Sequence, residues 1–370
     1  MHYYPEFNKS LPFTIGIEVE FQLLDKNSYN LSPCAPNILE AVPDSFKQNI
    51  KPEFIKSMLE VTTGVCKDIK EAKNDLKRSI KELEKIAGNF NHLIFSSSLH
   101  PFARCSEQKL SDDKRYHKLM NEFQIVGRRL ITQGLHVHIG IDDPDMAINI
   151  VDKMRTYIPL LLAISASSPF FEGEDTGLCS FRSKLFDALP RSGIADPLIS
   201  WENFQVLSNL LYQAGIIHSA RDIWWDIRPH PTFGTVEVRI CDVPCRFEEI
   251  IALAAFIRVL VEFCYFNKKI SSKVHRSILL NNKWNACRYG LLGTFVNPFT
   301  LEQSTIKEAL NKILDETRKI FEKNESVFQY KILKHMLNRG CSASLQRKIL
   351  KEKKGDFKAM INEMIEGFWT

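Results

Sequence analysis

A chain of 370 residues, 44% hydrophobic and 25% charged, holds ample apolar material for a core, which excludes disordered and fibrous classes. Its formal charge of +5 is small for this length, and the basic cluster Arg347, Lys348, Lys351, Lys353 and Lys354 is short and broken by Glu352, so no nucleic-acid partner is expected. Nine scattered cysteines, an odd number without paired spacing, argue against a disulfide framework and fit reduced thiols in a cytoplasmic protein.

Met1 to Pro12 is polar and aromatic and carries no secretory signal. Thr14 to Phe21 then alternates, with Ile15, Ile17, Val19 and Phe21 on one face of a strand and Glu18 and Glu20 on the other. Leu24 to Ser57, rich in Asn, Ser, Pro and Lys, reads as an excursion over the surface. Ser57 to Gly64 is a second strand, setting Glu60 and Thr62 opposite Leu59 and Val61. Lys67 to Ala87 has apolar residues spaced by three and four and is an amphipathic helix. A strand over Leu93 to Ser98 and a helix over Lys114 to Leu130 lead to Leu135 to Ile141, a strand whose His136 and His138 share a face.

Asp145 to Ser165 reads as a helix, and Ser165 to Gly193 mixes turn residues with Arg182, Lys184 and Arg191, which marks a candidate lid or binding loop. A helix over Trp201 to Gly215 precedes the strand Thr235 to Ile240, where Val236, Val238 and Ile240 back Thr235, Glu237 and Arg239. Arg246 to Phe266 is a helix whose apolar run is interrupted by Arg258 and Glu262 and falls short of a bilayer span, so no membrane partner is expected. Thr305 to Lys323 and Asp356 to Phe368 add helices near the end. With no repeat, linker or boundary, the expectation is one α+β domain over residues 1–370, with a curved, mostly antiparallel sheet, polar on its concave face and flanked by helices.

Convergence of Glu18, Glu20, Glu60, His136 and Glu237 would crowd four carboxylates into one pocket, where like charges raise pKa values or recruit cations. Oxygen-rich ligation with one imidazole favours Mg²⁺ or Mn²⁺ over zinc. Arg239 and His138 add donors suited to phosphate oxygens. Taken singly, each pattern has a plainer reading: a glutamate pair on a half-exposed strand is commonly solvated, and Glu237 with Arg239 fits a cross-strand ion pair. Their joint occurrence on strands with apolar backs favours a site.

Longer runs carry a resemblance: GIEVEFQLLD from Gly16, MLEVTTGVC around Glu60, HPFA at His100, GRRLITQGLHVHIGI, SASSPFFEGEDTG, DIWWDIRPHPTFGTVEVRICD, and NKWNACRYGL around Lys283. From Gly16 to Leu292 the chain resembles the type 2 glutamate-cysteine ligase family of carboxylate-amine ligases, within the glutamine synthetase-like superfamily. The resemblance implies a six-stranded antiparallel sheet forming a funnel that holds ATP and two or three Mg²⁺ ions, and an amide formed through an acyl phosphate. It places Glu18, Glu20, Glu60, His136 and Glu237 as metal ligands and His138 and Arg239 on the nucleotide phosphates. Arg228, Arg182, Lys283 and Arg288 become candidates for substrate or phosphate contact, with Arg228 and Arg239 as the catalytic pair. Two departures, Ser98-Leu99-His100-Pro101 for a Gly-Thr-His-Pro run and Asn285 for an arginine, leave that metal set intact and bear on the amino-acid substrate.

The expected activity is therefore an ATP- and Mg²⁺-dependent (or Mn²⁺-dependent) carboxylate-amine ligase acting on small amino-acid substrates, with glutamate-cysteine ligation as the specific form. A zinc-dependent hydrolase built on His136 and His138, and a nucleotide-binding member without turnover, are the rival readings. The sequence leaves a homodimer open.

Overall fold

The computed structural model describes residues 2–267 and 273–370. A seven-stranded sheet comprises β1 (Ile15–Asp25), β2 (Ile50–Pro52), β3 (Met58–Thr62), β4 (His92–Phe95), β5 (Leu135–Gly140), β6 (Ile227–His230) and β7 (Thr235–Val238). Six strands follow one hydrogen-bonded path, β6-β7-β5-β1-β3-β2, and every pairing is antiparallel. That path has the expected number of strands, and β4 is a seventh. At 11 residues, β1 is long enough to pair with β5 through Ile15 to Val19 and with β4 through Gln22 to Asp25.

The alternation in β1 decides which face is core. Ile15, Ile17, Val19 and Phe21 are buried, and with Leu59, Val61, Leu135, Val137, Ile139, Val236 and Val238 they form one apolar surface. Helix Ile69–Asn89 packs on β1, β3 and β4, helix Pro144–Met154 on β6 and β7, and helix Phe247–Phe266 on β5. The last is apolar almost all round and buried along nearly its whole length, as a central helix must be. Side chains fix where the covering helices begin: the Asp68 carboxylate accepts from the Glu71 N–H at 2.8 Å, and Asp143 accepts from Met146 N–H at 2.7 Å ahead of Pro144. Among the described residues no helix is long and apolar enough to cross a membrane.

Two expectations are corrected, and a third is met in part. The helix expected over Lys114 to Leu130 breaks at Gln124, where φ is +48°, into Lys114–Phe123 and Ile125–Arg128. The one expected over Asp145 to Ser165 divides at Arg155–Tyr157, since Pro159 has no N–H to continue the ladder. Ser165 to Gly193, the candidate lid or binding loop, is pinned down over part of its length, while its Phe186 and Leu189 line a cavity over the polar face of the sheet. Ser167 N–H and the Ser168 and Ser180 hydroxyls donate to the buried Asp242 carboxylate at 2.8, 2.7 and 3.0 Å, and helix Phe181–Asp187 follows.

Candidate active site

Strand register does the positioning. Glu18 stands opposite His136 and Glu20 opposite Glu60, while Glu237 has His138 on one side and Arg228 on the other. Because these positions differ by even steps along their strands, all lie on the face away from the helices. Ligand atoms of Glu18, His136 and Glu237 lie within 4.8 Å of one another, and so do those of Glu20, Glu60 and His136. The five expected ligands thus form two triads that share His136.

The imidazole of His136 bridges the two groups. Its Nδ1 is 3.3 Å from Glu18 Oε2 and 3.5 Å from Arg239 Nη1. Its Nε2 faces the start of β5, where the Gly134 N–H donates to Glu20 Oε2 at 2.6 Å. A Cβ on Gly134 would stand 2.8 Å from that Nε2 and clash with Arg182, so any other residue here would displace one or both side chains.

Electrostatics divide the carboxylates into two kinds. Burial would raise Glu237, but Arg228 and Arg239 hold it well below the usual carboxylate range. Glu18, also buried, is kept low by hydrogen bonds from His136 and His138. On the other side burial pushes Glu20 up to about 7, Arg182 opposing and Glu60 adding to the rise. Burial and the charges of Glu18 and Glu53 raise Glu60 well above its ordinary value. Burial, with the Arg239 charge, lowers His136 to about 4, leaving a neutral imidazole able to ligate a metal.

The sheet face opens into a cavity of about 370 Å³ lined by Glu18, Glu20, Glu60, His136, Arg228 and Arg239. Three further residues lining it, Glu53, Tyr116 and Arg221, were not expected there. Glu53 follows β2, in the stretch read as a surface excursion, and burial plus the Glu20 charge push it up to about 8. Burial and the Glu53 and Glu60 charges raise the Tyr116 hydroxyl well above its ordinary value. Pro52, which caps the short β2, hides the alternation that would have exposed Glu53 in the sequence.

The remaining candidates fall elsewhere. His138 accepts or donates through Nδ1 to Thr235 Oγ1 at 2.9 Å and lines a neighbouring groove of about 410 Å³ with Lys51, Thr63 and Phe233. Glu18 lines both this groove and the first cavity. Arg182 is 3% exposed and lines neither, because it donates to the carbonyls of Arg239 and Ile240 and pairs with Asp242 at 3.7 Å. Lys283 is equally buried, its Nζ 2.6 Å from Asp187 and 2.7 Å from Asp226, and holds helix Arg276–Tyr289 against the strand region. Arg288 donates to the Gly177 carbonyl. Arg182, Lys283 and Arg288 thus line neither cavity and are engaged by partners within the protein. A larger cavity of about 850 Å³ lies behind helix Lys114–Phe123 and contains none of the five clustered ligands.

Comparison with known proteins identifies the family and the fold. Residues 14–365 match the family described as glutamate-cysteine ligase family 2. A relative from Gloeobacter violaceus, bearing the provisional name glutamate-cysteine ligase 2, is 35% identical over 348 residues, 93% of this chain and 94% of the relative. In fold, the chain is similar to the glutamate-cysteine ligase of Francisella tularensis solved with AMP (TM-score 0.71, 15% identity, 98% of this chain and 89% of that one). It is also similar to a bifunctional glutathione synthetase of Pasteurella multocida (TM-score 0.72, 14% identity), covering 96% of this chain and 52% of the other. By its sequence, over nearly its whole length, the chain belongs to glutamate-cysteine ligase family 2.

Proposed function

We propose that the protein is an ATP-dependent carboxylate-amine ligase that uses Mg²⁺ or Mn²⁺. The observation that carries this reading is the pair of triads sharing His136, set beside Arg228 and Arg239 at the junction of two cavities. The donor set fits hard divalent ions: oxygens predominate, the imidazole is neutral, and burial together with neighbouring carboxylates raises Glu20, Glu53 and Glu60. Glu18, Glu20, Glu60, His136 and Glu237 would hold the ions, with Glu53 close by. Such ions supply charge neutralisation on a phosphoryl group in transfer.

In this reading the nucleotide occupies the groove beside His138, and the amino-acid substrates occupy the cavity on the other side of Glu18. The substrate carboxylate attacks the γ-phosphorus and the bond to the leaving ADP oxygen breaks, giving an acyl phosphate. The amine nitrogen then attacks the acyl carbon, forming the C–N bond while the C–O bond to phosphate breaks. Of the three ammonium protons, one remains on the amide, one leaves on phosphate and one goes to solvent. Arg239 and Arg228 stand where charge builds on the transferred group, and because both are already anchored on Glu237 they are pre-oriented rather than mobile. No cysteine lines either cavity, so no thiol is assigned a step in this reading.

ADP release from Mg-ATP in the presence of glutamate and a panel of amines tests this reading. Release that depends on both the amine and the divalent ion supports it. Retention of tightly bound zinc with no ATP binding would instead support the hydrolase.

A further inference from the structure

The cavity has two unlike halves. Its floor is the polar sheet face. Its roof is helix Lys114–Phe123, none of whose residues is buried, yet Tyr116, Leu119 and Phe123 line the cavity at helical spacing. Phe54 meets Tyr116 edge-on at 5.4 Å between ring centroids and Trp224 meets Phe123 at 5.8 Å, so two aromatic pairs complete the roof. Phe186 and Met58 extend the apolar wall. A side chain as small as that of cysteine would cover little of this aromatic surface.

Charges in the cavity are equally uneven. Arg228 and Arg239 are held by Glu237, and Arg115 lies 3.3 Å from Asp222. Arg221 is exposed, and among the described residues its side chain makes no hydrogen bond or ion pair, since only its backbone is engaged. It is a cation in the cavity wall with no protein counter-ion among the described residues, free to pair with an anionic group of a bound molecule.

The acid to be activated has to lie on the polar floor beside the clustered carboxylates and arginines, so the second substrate enters between it and the roof. We propose, on the basis of the ligase reading above, that this second substrate is an α-amino acid with a large apolar side chain of leucine or phenylalanine size. Its side chain packs against Leu119, Phe123, Phe54 and Trp224, and its carboxylate pairs with Arg221. A pocket of this kind selects by apolar contact area and by one fixed charge, and it gives little purchase to glycine or alanine.

The test uses the full chain with Mg-ATP, glutamate as acid, and phenylalanine, leucine, alanine, glycine, cysteine or phenethylamine as amine, following ADP. Phenylalanine or leucine should show a kcat/KM at least tenfold above alanine and glycine. Leu119→Gln, on a helix with no buried residue to unfold it, should raise KM for phenylalanine at least tenfold while KM for ATP stays put. Arg221→Gln should raise KM for phenylalanine by a similar factor but leave phenethylamine, which has no carboxylate, within twofold. Cysteine or alanine performing as well as phenylalanine would overturn the proposal, as would equal losses for phenylalanine and phenethylamine in Arg221→Gln. If no pair releases ADP, the glutamate-donor ligase reading falls, and calorimetry decides the acceptor. Phenylalanine binding in the presence of Mg²⁺ and β,γ-imido-ATP, weakened at least tenfold by Arg221→Gln, sustains the proposal, and no binding overturns it.

Discussion

Arg228 and Glu237 face each other across β6 and β7 and close a two-point ion pair, with Nε 2.6 Å from Oε2 and Nη2 3.2 Å from Oε1. Arg239 donates to the same Oε1, and Glu237 is 1% exposed. One carboxylate therefore serves as candidate ligand and as anchor for two arginines.

Glu237→Gln should cost stability as well as activity. Removing the charge leaves the buried Arg228 guanidinium without its ion-pair partner and frees Arg239 from its anchor, a loss of about 3–5 kcal/mol. Urea unfolding should read that loss, and ADP release should fall at least a hundredfold. Normal turnover in a stable variant would remove Glu237 from the site.

Divalent ions should stabilise the protein, by about 2.7 kcal/mol when the free ion is a hundredfold above its Kd. Glu60→Gln should behave in two opposite ways. Because Glu60 is raised well above its ordinary value, its charge costs stability at pH 8, so the metal-free variant should melt higher than wild type. Its gain from added Mg²⁺ or Mn²⁺ should shrink, as it should in Glu18→Gln. A Glu60→Gln variant that melts lower than wild type without metal would contradict the crowding of charge.

A pH prediction follows from Glu53. Its folded value of about 8 exceeds the ordinary 4.5, so the folded protein binds more protons in between and loses stability as pH rises through that interval. Other groups act in the same range: buried His100, His136 and His230, each near 4, favour folding as pH rises to about 6.5, and the Cys341 thiol, lowered to about 6 beside Cys179, opposes the decline. The difference between wild type and Glu53→Gln reads this contribution together with its coupling to Glu20 and Glu60. In EDTA, the change between pH 6.5 and 8 should be about 1.5 kcal/mol less unfavourable in the variant. Identical slopes would place Glu53 in solvent.

Much of this site is legible in the sequence because β1, β3, β5 and β7 each alternate apolar and polar residues, and a face assignment needs nothing more. Glu18, Glu20, Glu60, His136 and Glu237 came from that alternation. Register is different: nothing local says that Glu20 meets Glu60 rather than Thr62. Glu53 was hidden by Pro52, and β6 by Pro229 in its middle, which breaks the appearance of a strand although its lone neighbour β7 leaves it at the sheet edge. Lys283 and Arg182 show the limit of motif matching, since a basic residue in a matched run serves equally well to pair buried Asp226 or Asp242. Helix Val327–Arg339 carried its signal openly, in Leu333, Met336 and Leu337.

Lys283→Met should be destabilising by about 3–5 kcal/mol, because buried Asp226 loses its cation. KM for ATP should stay within twofold in protein that remains folded. A large rise in KM without loss of stability would return Lys283 to the nucleotide.

The most direct measurement is anomalous diffraction from crystals grown with Mn²⁺ and β,γ-imido-ATP. The account predicts a Mn²⁺ peak in bonding distance of His136 and of carboxylates from at least two of β1, β3 and β7, with the triphosphate touching the same ion. Mn²⁺ bound only elsewhere, or nucleotide bound away from Glu18, would contradict it.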